Sequence, residues 1–201
     1  MEHVFFKPWI GQHYHSGGIF NKKILVLGES HYCGGCSKCG LKYYPECDDL
    51  TTTGVVETYL SGHTDSWTPT YRKFERSLIN RETTIEESQR IWNSISFFNF
   101  LQVAMNESRE AGSPDEYING QKALSEVVER LEPDLIIVWG VTRMYDYFPS
   151  EGWIEGENII IDRYELKNGY YKTKETRVIF VYHPSTGYDW SWWYEAILPY
   201  L

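Results

Sequence analysis

Positive charge is scarce in this chain, which has 19 Lys and Arg residues against 28 Asp and Glu residues and a formal net charge of −9. Proteins that coat nucleic acid bind phosphate mainly through Lys and Arg, so this balance argues against a broad nucleic-acid surface. It leaves room for a local basic face. Long hydrophobic runs are also missing, since no segment approaches the about 18 apolar residues of a membrane-spanning helix. We therefore expect no membrane partner.

The sequence also shows no internal repeat, no low-complexity tract and no clear linker. The amino-terminal stretch MEHVFFKPWIGQHYH lacks the basic-then-apolar pattern of a signal peptide. We predict a cytoplasmic protein, in which thiols stay reduced and clustered cysteines favour metal binding over disulfides. The length of 201 residues fits a single domain over residues 1–201.

Hydrophobic residues make up 42% of the chain and aromatic residues 16%, so a substantial core can form. Four short apolar runs have the composition of strands: Ile24 to Leu27, Ser94 to Phe100, Leu135 to Trp139, and Val178 to Tyr182. Each run is almost continuously apolar. This is typical of parallel strands that are covered on both faces.

Helical patterns separate these runs. They begin at Thr68-Pro69, at the capping-box sequence from Thr84 to Glu87, at the similar sequence from Ser113 to Glu116, at Val141 and at Trp190. Between the third and fourth runs, residues 157–173 predict a small hairpin insertion with Asn168-Gly169 at its turn. The alternation predicts a three-layer α/β/α sandwich with a four-stranded, mainly parallel sheet. We expect the four runs in the order 2-1-3-4.

Polar residues follow three of the four runs, at the ends where parallel strands are expected to share one edge. They are Gly28 to Tyr32 (GESHY), Asn99 with Gln102, and His183 to Ser185 (HPS). A glycine at a strand end allows a tight turn and the close approach of a ligand. Each group also has a plain structural interpretation, as a solvated turn or as side chains that satisfy the backbone. Their convergence on one edge makes that edge the candidate ligand site.

All four cysteines fall in one short segment, with the spacing Cys33-x2-Cys36-x2-Cys39-x7-Cys47. Four thiolates suit a tetrahedral zinc ion or an iron–sulfur cluster. We expect a structural zinc ion bound by residues 33–47, because four protein ligands close the coordination shell. An iron–sulfur cluster, a redox Cys-Gly-Gly-Cys pair and free thiols are the alternatives.

Taken in order, the motifs resemble the uracil-DNA glycosylase superfamily over roughly residues 20 to 190. They are GESHY, the asparagine in SFFNFLQ, LEPDLIIVWGVTRMYDYF around the third run, and VYHPS. In the superfamily's iron–sulfur branch, the first strand is followed by Gly and Glu, which matches Gly28 and Glu29. Tyr32 falls where the best-studied branch has a tyrosine that excludes the methyl group of thymine.

The resemblance implies DNA repair by hydrolysis of the N-glycosidic bond of uracil or another damaged base, after the nucleotide is flipped out of the stack. It implies two catalytic residues: Glu29 positions the attacking water, and His183 stabilises the charge on the oxygen of the departing base. Asn99 would read the base edge. Phe97, Phe98 or Tyr32 would stack on the base. The remaining substrate-binding positions that it implies are Gly28, Ser30, His31 and Ser185.

The sequence departs from the family pattern at three places. Ser30 stands where the best-studied branch has a water-activating Asp, His31 stands where it has Pro, and residues 186–190 (TGYDW) replace a proline-rich wedge loop. Three hypotheses therefore remain open. The protein is a glycosylase-like enzyme, a module of that fold that binds a nucleobase or nucleic acid with little or no catalysis, or an unrelated α/β protein-interaction domain with a zinc loop.

Overall fold

The computed structural model describes residues 1–32, 49–172 and 176–201, and it places helices on both faces of a mixed β-sheet. The predicted α/β class is confirmed. The strands are β1 (Trp9–Ile10), β2 (Ile24–Gly28), β3 (Ile95–Asn99), β4 (Leu135–Trp139), β5 (Trp153–Glu155), β6 (Ile159–Ile161), β7 (Tyr164–Leu166), β8 (Asn168–Tyr171) and β9 (Arg177–Val181). The helices are α1 (Thr51–Leu60), α2 (Thr68–Ile79), α3 (Ile85–Trp92), α4 (Pro114–Leu131), α5 (Arg143–Asp146) and α6 (Trp190–Ile197).

Seven strands form the main sheet, in the order β1-β3-β2-β4-β9-β8-β5. Its four central strands, β3, β2, β4 and β9, are mutually parallel and correspond to the four apolar runs. Every residue of β2, β3 and β4 is buried. Because helices cover both faces of these strands, neither face needs polar residues, which explains the continuous apolar sequence.

Three antiparallel strands extend the sheet beyond the four that the sequence predicts. β1 pairs with β3 at one edge, while β8 and then β5 follow β9 at the other. These added strands have between two and four residues each. Such short segments do not show enough alternation to be recognised from sequence. The predicted four-stranded sheet is therefore the parallel centre of a larger, mixed sheet.

A separate hairpin, formed by β6 and β7, lies in the insertion between β4 and β9. Its turn is at Asp162-Arg163, where Asp162 has a positive φ of 56°. The predicted turn at Asn168-Gly169 is wrong, because both residues belong to β8. The Asn168 amide donates to the carbonyl oxygens of Glu157 and Leu166, each at 2.9 Å. Through these two bonds Asn168 joins β8 to the hairpin, and it does not form a turn.

Helices α3 and α4 begin with the reciprocal caps that the sequence predicts. At α3, the Glu87 N–H donates to Thr84 Oγ1 and the Thr84 N–H donates to the Glu87 carboxylate. Ser113 and Glu116 do the same at α4. Helix α1 has no comparable signal, since its Thr-rich start has weak helix propensity. Across the described ranges, no helix combines the length and hydrophobicity that a transmembrane span requires.

Two apolar cores form, one on each face of the sheet. Helices α1, α2, α3 and α6 cover one face, and α4 and α5 cover the other. The first core centres on a cluster of aromatic rings with centroid distances of 5.0 to 6.3 Å: Tyr71, Phe74, Trp92, Phe97 and Trp139. The cluster reaches the carboxyl ends of β3 and β4, so it supports the edge at which the polar motifs lie.

We predict that the cap of α6 contributes measurably to stability. Asp189 Oδ1 accepts hydrogen bonds from the N–H groups of Ser191 (3.0 Å) and Trp192 (3.3 Å). Asp189→Ala should lower the free energy of unfolding by about 1 kcal/mol, because two N–H groups lose their acceptor. Asp189→Asn keeps an acceptor and should lose much less. Urea denaturation followed by tryptophan fluorescence measures both, and equal losses for Ala and Asn would contradict the prediction.

Candidate functional site at the carboxyl edge of the sheet

The polar motifs lie at the same edge of the sheet. In the strand register, Gly28 at the end of β2 pairs with Asn99 at the end of β3. Trp139 at the end of β4 pairs with Val181 at the end of β9, two residues before His183. We call this edge, formed by Gly28 to Tyr32, Asn99, Trp139 and His183 to Ser185, the carboxyl rim. Because the four parallel strands end at the same level, residues far apart in sequence share this rim.

Gly28 allows the Asn99 side chain to lie across the end of β2. A Cβ atom at position 28 would be only 2.2 Å from Asn99 Oδ1. The Asn99 amide nitrogen lies 3.1 to 3.2 Å from the two ring nitrogens of His31. The side chain is buried, with 4% of its surface exposed. The Asn99 amide is therefore already in contact with His31, and a base at the rim would have to compete with His31 for it.

His31 lies below the surface of the rim. Its Nε2 is 2.9 Å from Thr52 Oγ1 on α1, and its ring meets Phe6 edge-on at 4.9 Å between centroids. Burial lowers the pKa of His31 from 6.5 to about 4, so the ring is neutral at pH 7. Its contacts join the turn after β2 to α1 and to the amino-terminal segment, which is a structural role.

Gln102 completes the support of this part of the rim. Its amide oxygen accepts from the N–H groups of Phe5 (2.8 Å) and Phe6 (2.9 Å), and its amide nitrogen donates to the Asn99 carbonyl (2.7 Å). These bonds tie the amino-terminal segment to the end of β3. Gln102 is thus occupied by backbone groups and offers little to a ligand.

Glu29 is held by two residues that the sequence did not single out. Its carboxylate accepts hydrogen bonds from Tyr117 Oη at 2.6 Å and from Arg143 Nη2 at 3.0 Å, and Arg143 Nε lies 3.0 Å from Glu29 Oε1 in the same ion pair. The Tyr117 ring stacks on Tyr147 with a centroid distance of 3.8 Å. Burial and the Glu29 carboxylate raise the pKa of Tyr117, so the phenol remains a donor. Arg143 could have been found from sequence, because it lies in the polar segment after β4, and β4 is the one apolar run whose following residues were not assigned to the site.

His183 is oriented by Ser185. The Ser185 N–H donates to His183 Nδ1 at 3.2 Å, and Ser185 Oγ lies 2.8 Å from the same nitrogen. Because a backbone N–H only donates, Nδ1 is the acceptor, and the neutral ring carries its proton on Nε2. Removal from water lowers the pKa of His183, and the Glu29 carboxylate opposes this shift. The residue nevertheless lies at the exposed surface, and Nε2 has no partner among the described residues.

The aromatic residues proposed to stack on a base are not equally placed. Phe98 is fully buried and Phe97 is 2% exposed, so neither presents a face to a ligand at the rim. Both strand faces are covered by helices, which is why these rings lie in the two cores. Tyr32 is 48% exposed and forms an isolated bridge with Met105. Tyr32 is therefore the one of the three with an accessible ring.

Two further positions complete the placement of the predicted site. Ser30 is half-buried beside Glu29, and Ser185 is exposed. The four cysteines at 33, 36, 39 and 47 lie outside the described residues, so the predicted zinc segment stays a prediction. Within the parts of the chain that are described, no group of three His, Cys, Asp or Glu residues is arranged to hold a metal ion.

We predict that the buried His31 makes stability fall in acid. Its pKa is about 4 in the folded protein and about 6.5 when unfolded, so only the unfolded chain gains this proton between those pH values. The free energy of unfolding should decrease as pH drops from 6.5, by up to roughly 3 kcal/mol at pH 4. Urea denaturation across this range should show a smaller decrease for His31→Gln. The exposed His63→Gln control should behave like the parent, and a His31→Gln profile parallel to the parent's would refute the assignment.

The chain matches no protein-family model, and no curated protein shows significant sequence similarity to it. What the protein does is therefore inferred from the rim: a buried Asn99–His31 pair, a Glu29 carboxylate held by Arg143 and Tyr117, and a neutral His183 with an available donor.

Proposed function

We propose that the carboxyl rim binds a nucleobase and that the protein is a uracil-DNA glycosylase-like enzyme, which hydrolyses an N-glycosidic bond. The observation that carries the proposal is the orientation of His183. Ser185 occupies Nδ1 as a donor, which leaves a neutral Nε2–H at the same edge of the sheet as the Glu29 carboxylate. A neutral N–H donor at the same edge as a carboxylate suits a reaction that develops negative charge on the departing base and positive charge on the sugar.

In the proposed reaction, the bond between the sugar C1′ and the base nitrogen breaks, and its electron pair leaves with the base. His183 Nε2–H donates to the base oxygen on which the negative charge develops. The positive charge on the sugar ring is stabilised by Glu29. Water then bonds to C1′ and loses a proton, which the released base accepts. Because His183 acts as a neutral donor, the reaction does not require an imidazolium at pH 7.

In this scheme the Glu29 carboxylate keeps one hydrogen-bond acceptor site for a water molecule. Its Oε1 accepts from Tyr117 Oη and lies 3.0 Å from Arg143 Nε, while Oε2 accepts from Arg143 Nη2. A carboxylate oxygen has two lone pairs, so Oε2 retains one acceptor site with respect to the described residues. Ser30 cannot take over this role, because a hydroxyl is not ionised at neutral pH. Water positioning therefore falls to Glu29.

The same contacts favour a second candidate function, in which the rim binds a nucleobase with little or no cleavage. The pairing of Glu29 with Arg143 neutralises much of the charge that would stabilise a cationic sugar. Ser30 supplies no replacement carboxylate. We accordingly expect weak activity, or none, on uracil in duplex DNA. Binding of a uracil-containing oligonucleotide at equilibrium, with no release of the base, would favour this second candidate.

We predict that any base release depends on His183. The substrates are oligonucleotides that contain uracil, hypoxanthine or xanthine. Base release leaves an abasic site, and strand cleavage at that site measures the rate. His183→Ala should reduce the rate about 100- to 1000-fold, because the departing base loses its donor. Ser185→Ala should reduce it less, since the backbone N–H that orients Nδ1 remains. Protonation of Nδ1 would break the bond from the Ser185 N–H that orients the ring. Because burial lowers the pKa of His183, the rate should fall in acid only at pH values below the ordinary histidine pKa of 6.5.

The exposed His63 provides the matched control, and His63→Ala should retain the parent rate. Glu29→Gln should also slow base release if Glu29 positions the water. Strong cleavage that survives both His183→Ala and Glu29→Gln would show that the reaction takes place elsewhere.

We also propose that Cys33, Cys36, Cys39 and Cys47 bind zinc, on the basis of their spacing in sequence. Protein purified without chelator should contain about one zinc ion per chain by elemental analysis. Cys36→Ser should lower the zinc content and the stability, because metal binding contributes to folding. Ser37→Ala, in the same segment, is the matched control and should retain the metal. Iron in place of zinc would support a cluster, and the absence of any metal would refute the proposal.

A further inference from the structure

An aromatic surface lies beside His183, built from a strand end, the β6–β7 hairpin and helix α6. Tyr182 directly precedes His183 and is 39% exposed. Its ring centroid is 5.4 Å from that of Tyr164 on β7, which is 5.6 Å from that of Trp192 on α6. We call Tyr164, Tyr182 and Trp192 the aromatic shelf. The buried ring of Trp193 contacts all three, with centroid distances of 4.8 to 5.5 Å.

The aromatic shelf is fixed from the hairpin and from the core. Trp192 Nε1 donates to Asp162 Oδ2 in the hairpin turn at 2.7 Å. Trp193 stacks on Tyr188 at 5.6 Å between centroids, and Tyr188 Oη lies 2.7 Å from Ser77 Oγ on α2. Tyr164 and Trp192 are half-buried, and Tyr164 meets both neighbouring rings edge-on at 82°, so the exposed ring of Tyr182 is the most accessible to a base. Because these contacts hold the rings in place, little conformational entropy is lost when a flat ligand binds.

The segment after His183 is poorly suited to opening a duplex. Ser185, Thr186 and Gly187 are exposed but small or polar, and the next aromatic residue, Tyr188, is 6% exposed and bonded to Ser77. Proteins that unstack duplex bases frequently insert an apolar side chain between base steps. This segment presents none, so a base reaching the rim is best supplied from a strand that is already unpaired.

The charge of the protein points in the same direction. Duplex binding depends on many phosphate contacts by Lys and Arg, and the net charge here is −9. A single strand depends somewhat less than a duplex on each phosphate contact. Aromatic rings add stacking to those contacts and accept any base, because every base has a π face. Arg163, exposed in the hairpin turn, adds a cation close to Asp162 and Tyr164 in sequence.

We propose that the aromatic shelf is a binding subsite for single-stranded nucleic acid, on which a base next to the one at the carboxyl rim stacks. The proposal rests on the nucleobase function proposed for the rim, and it names an unpaired strand as the substrate class. The main argument is that the two sites adjoin. Tyr182 and His183 are consecutive residues, so one nucleic-acid strand can contact the aromatic shelf and the carboxyl rim together.

The test is fluorescence anisotropy with a labelled single-stranded oligonucleotide of about 12 nucleotides containing one uracil, compared with the same sequence as a duplex. Tyr182→Leu and Tyr164→Leu should each weaken single-strand affinity about tenfold, because a stacked base loses its platform. Tyr194→Leu is the matched control on the same helix, since Tyr194 is half-buried and has no ring contact within the described residues. It should bind as tightly as the parent. The parent should bind the duplex at least about tenfold more weakly.

The outcomes separate the shelf from the chemistry at the rim. If both shelf variants bind like the parent while His183→Ala abolishes base release, the shelf is refuted and the enzymatic proposal stands. If the shelf variants lose affinity but no base is released from any oligonucleotide, the shelf stands and hydrolysis is refuted. Duplex binding as tight as single-strand binding, or no binding of the single strand, overturns the shelf. If Tyr164→Leu unfolds at a lower urea concentration than the parent, its loss of affinity is set aside. The test then rests on Tyr182→Leu, because Tyr182 is the more exposed residue.

Discussion

The contact between Gly28 and the side chain of Asn99 determines how the carboxyl rim is assembled. A Cβ atom at position 28 would approach Asn99 Oδ1 to 2.2 Å, so any other residue would displace the amide. With the amide in place, Asn99 reaches His31, and its carbonyl accepts from Gln102. Gln102 then binds the backbone of the amino-terminal segment. The loss of one hydrogen-bonded partner would leave other buried polar groups unsatisfied, which is costly in a protein interior.

Two histidines of the rim have lowered pKa values and different uses. Desolvation is the main cause in both. In His31 the ring nitrogens face Asn99 and Thr52, so the ring serves to connect structural elements. In His183 only Nδ1 is occupied, by Ser185, and Nε2–H is left as a donor at the surface. The hydrogen-bond partners, and not the direction of the pKa shift, distinguish the structural histidine from the candidate catalytic one.

The acidic charge and the aromatic surface are consistent with one mode of binding. In the binding mode that we propose, a protein with a net charge of −9 gains little from phosphate contacts, and aromatic rings and a few oriented donors would make the main contacts with the bases. The antiparallel hairpin matters here, because β7 supplies Tyr164 and its turn supplies Asp162 to Trp192. The insertion thus extends the rim beyond the residues at the ends of the parallel strands.

Local physical chemistry made several features predictable from sequence. The apolar runs were recognisable because strands buried on both faces exclude polar residues, and the caps at Thr84 and Ser113 because their bonds join residues three positions apart. The placement of Glu29 and His183 on one edge follows from their positions at strand ends, since parallel strands in one sheet end on the same side. The sequence alone determined this much of the fold and the site.

Other features were decided only by tertiary packing. Arg143 and Tyr117 reach Glu29 from 114 and 88 residues away, so their contacts depend on how α4 and α5 pack on the sheet. An asparagine–glycine pair favours a turn, but the bonds of Asn168 to the hairpin hold this pair in a strand instead. The sequence of β3 does not show whether Phe98 faces a ligand or a core, because both faces are equally apolar. Only the helices that cover the sheet determine which rings are buried and which side chains remain available to a ligand.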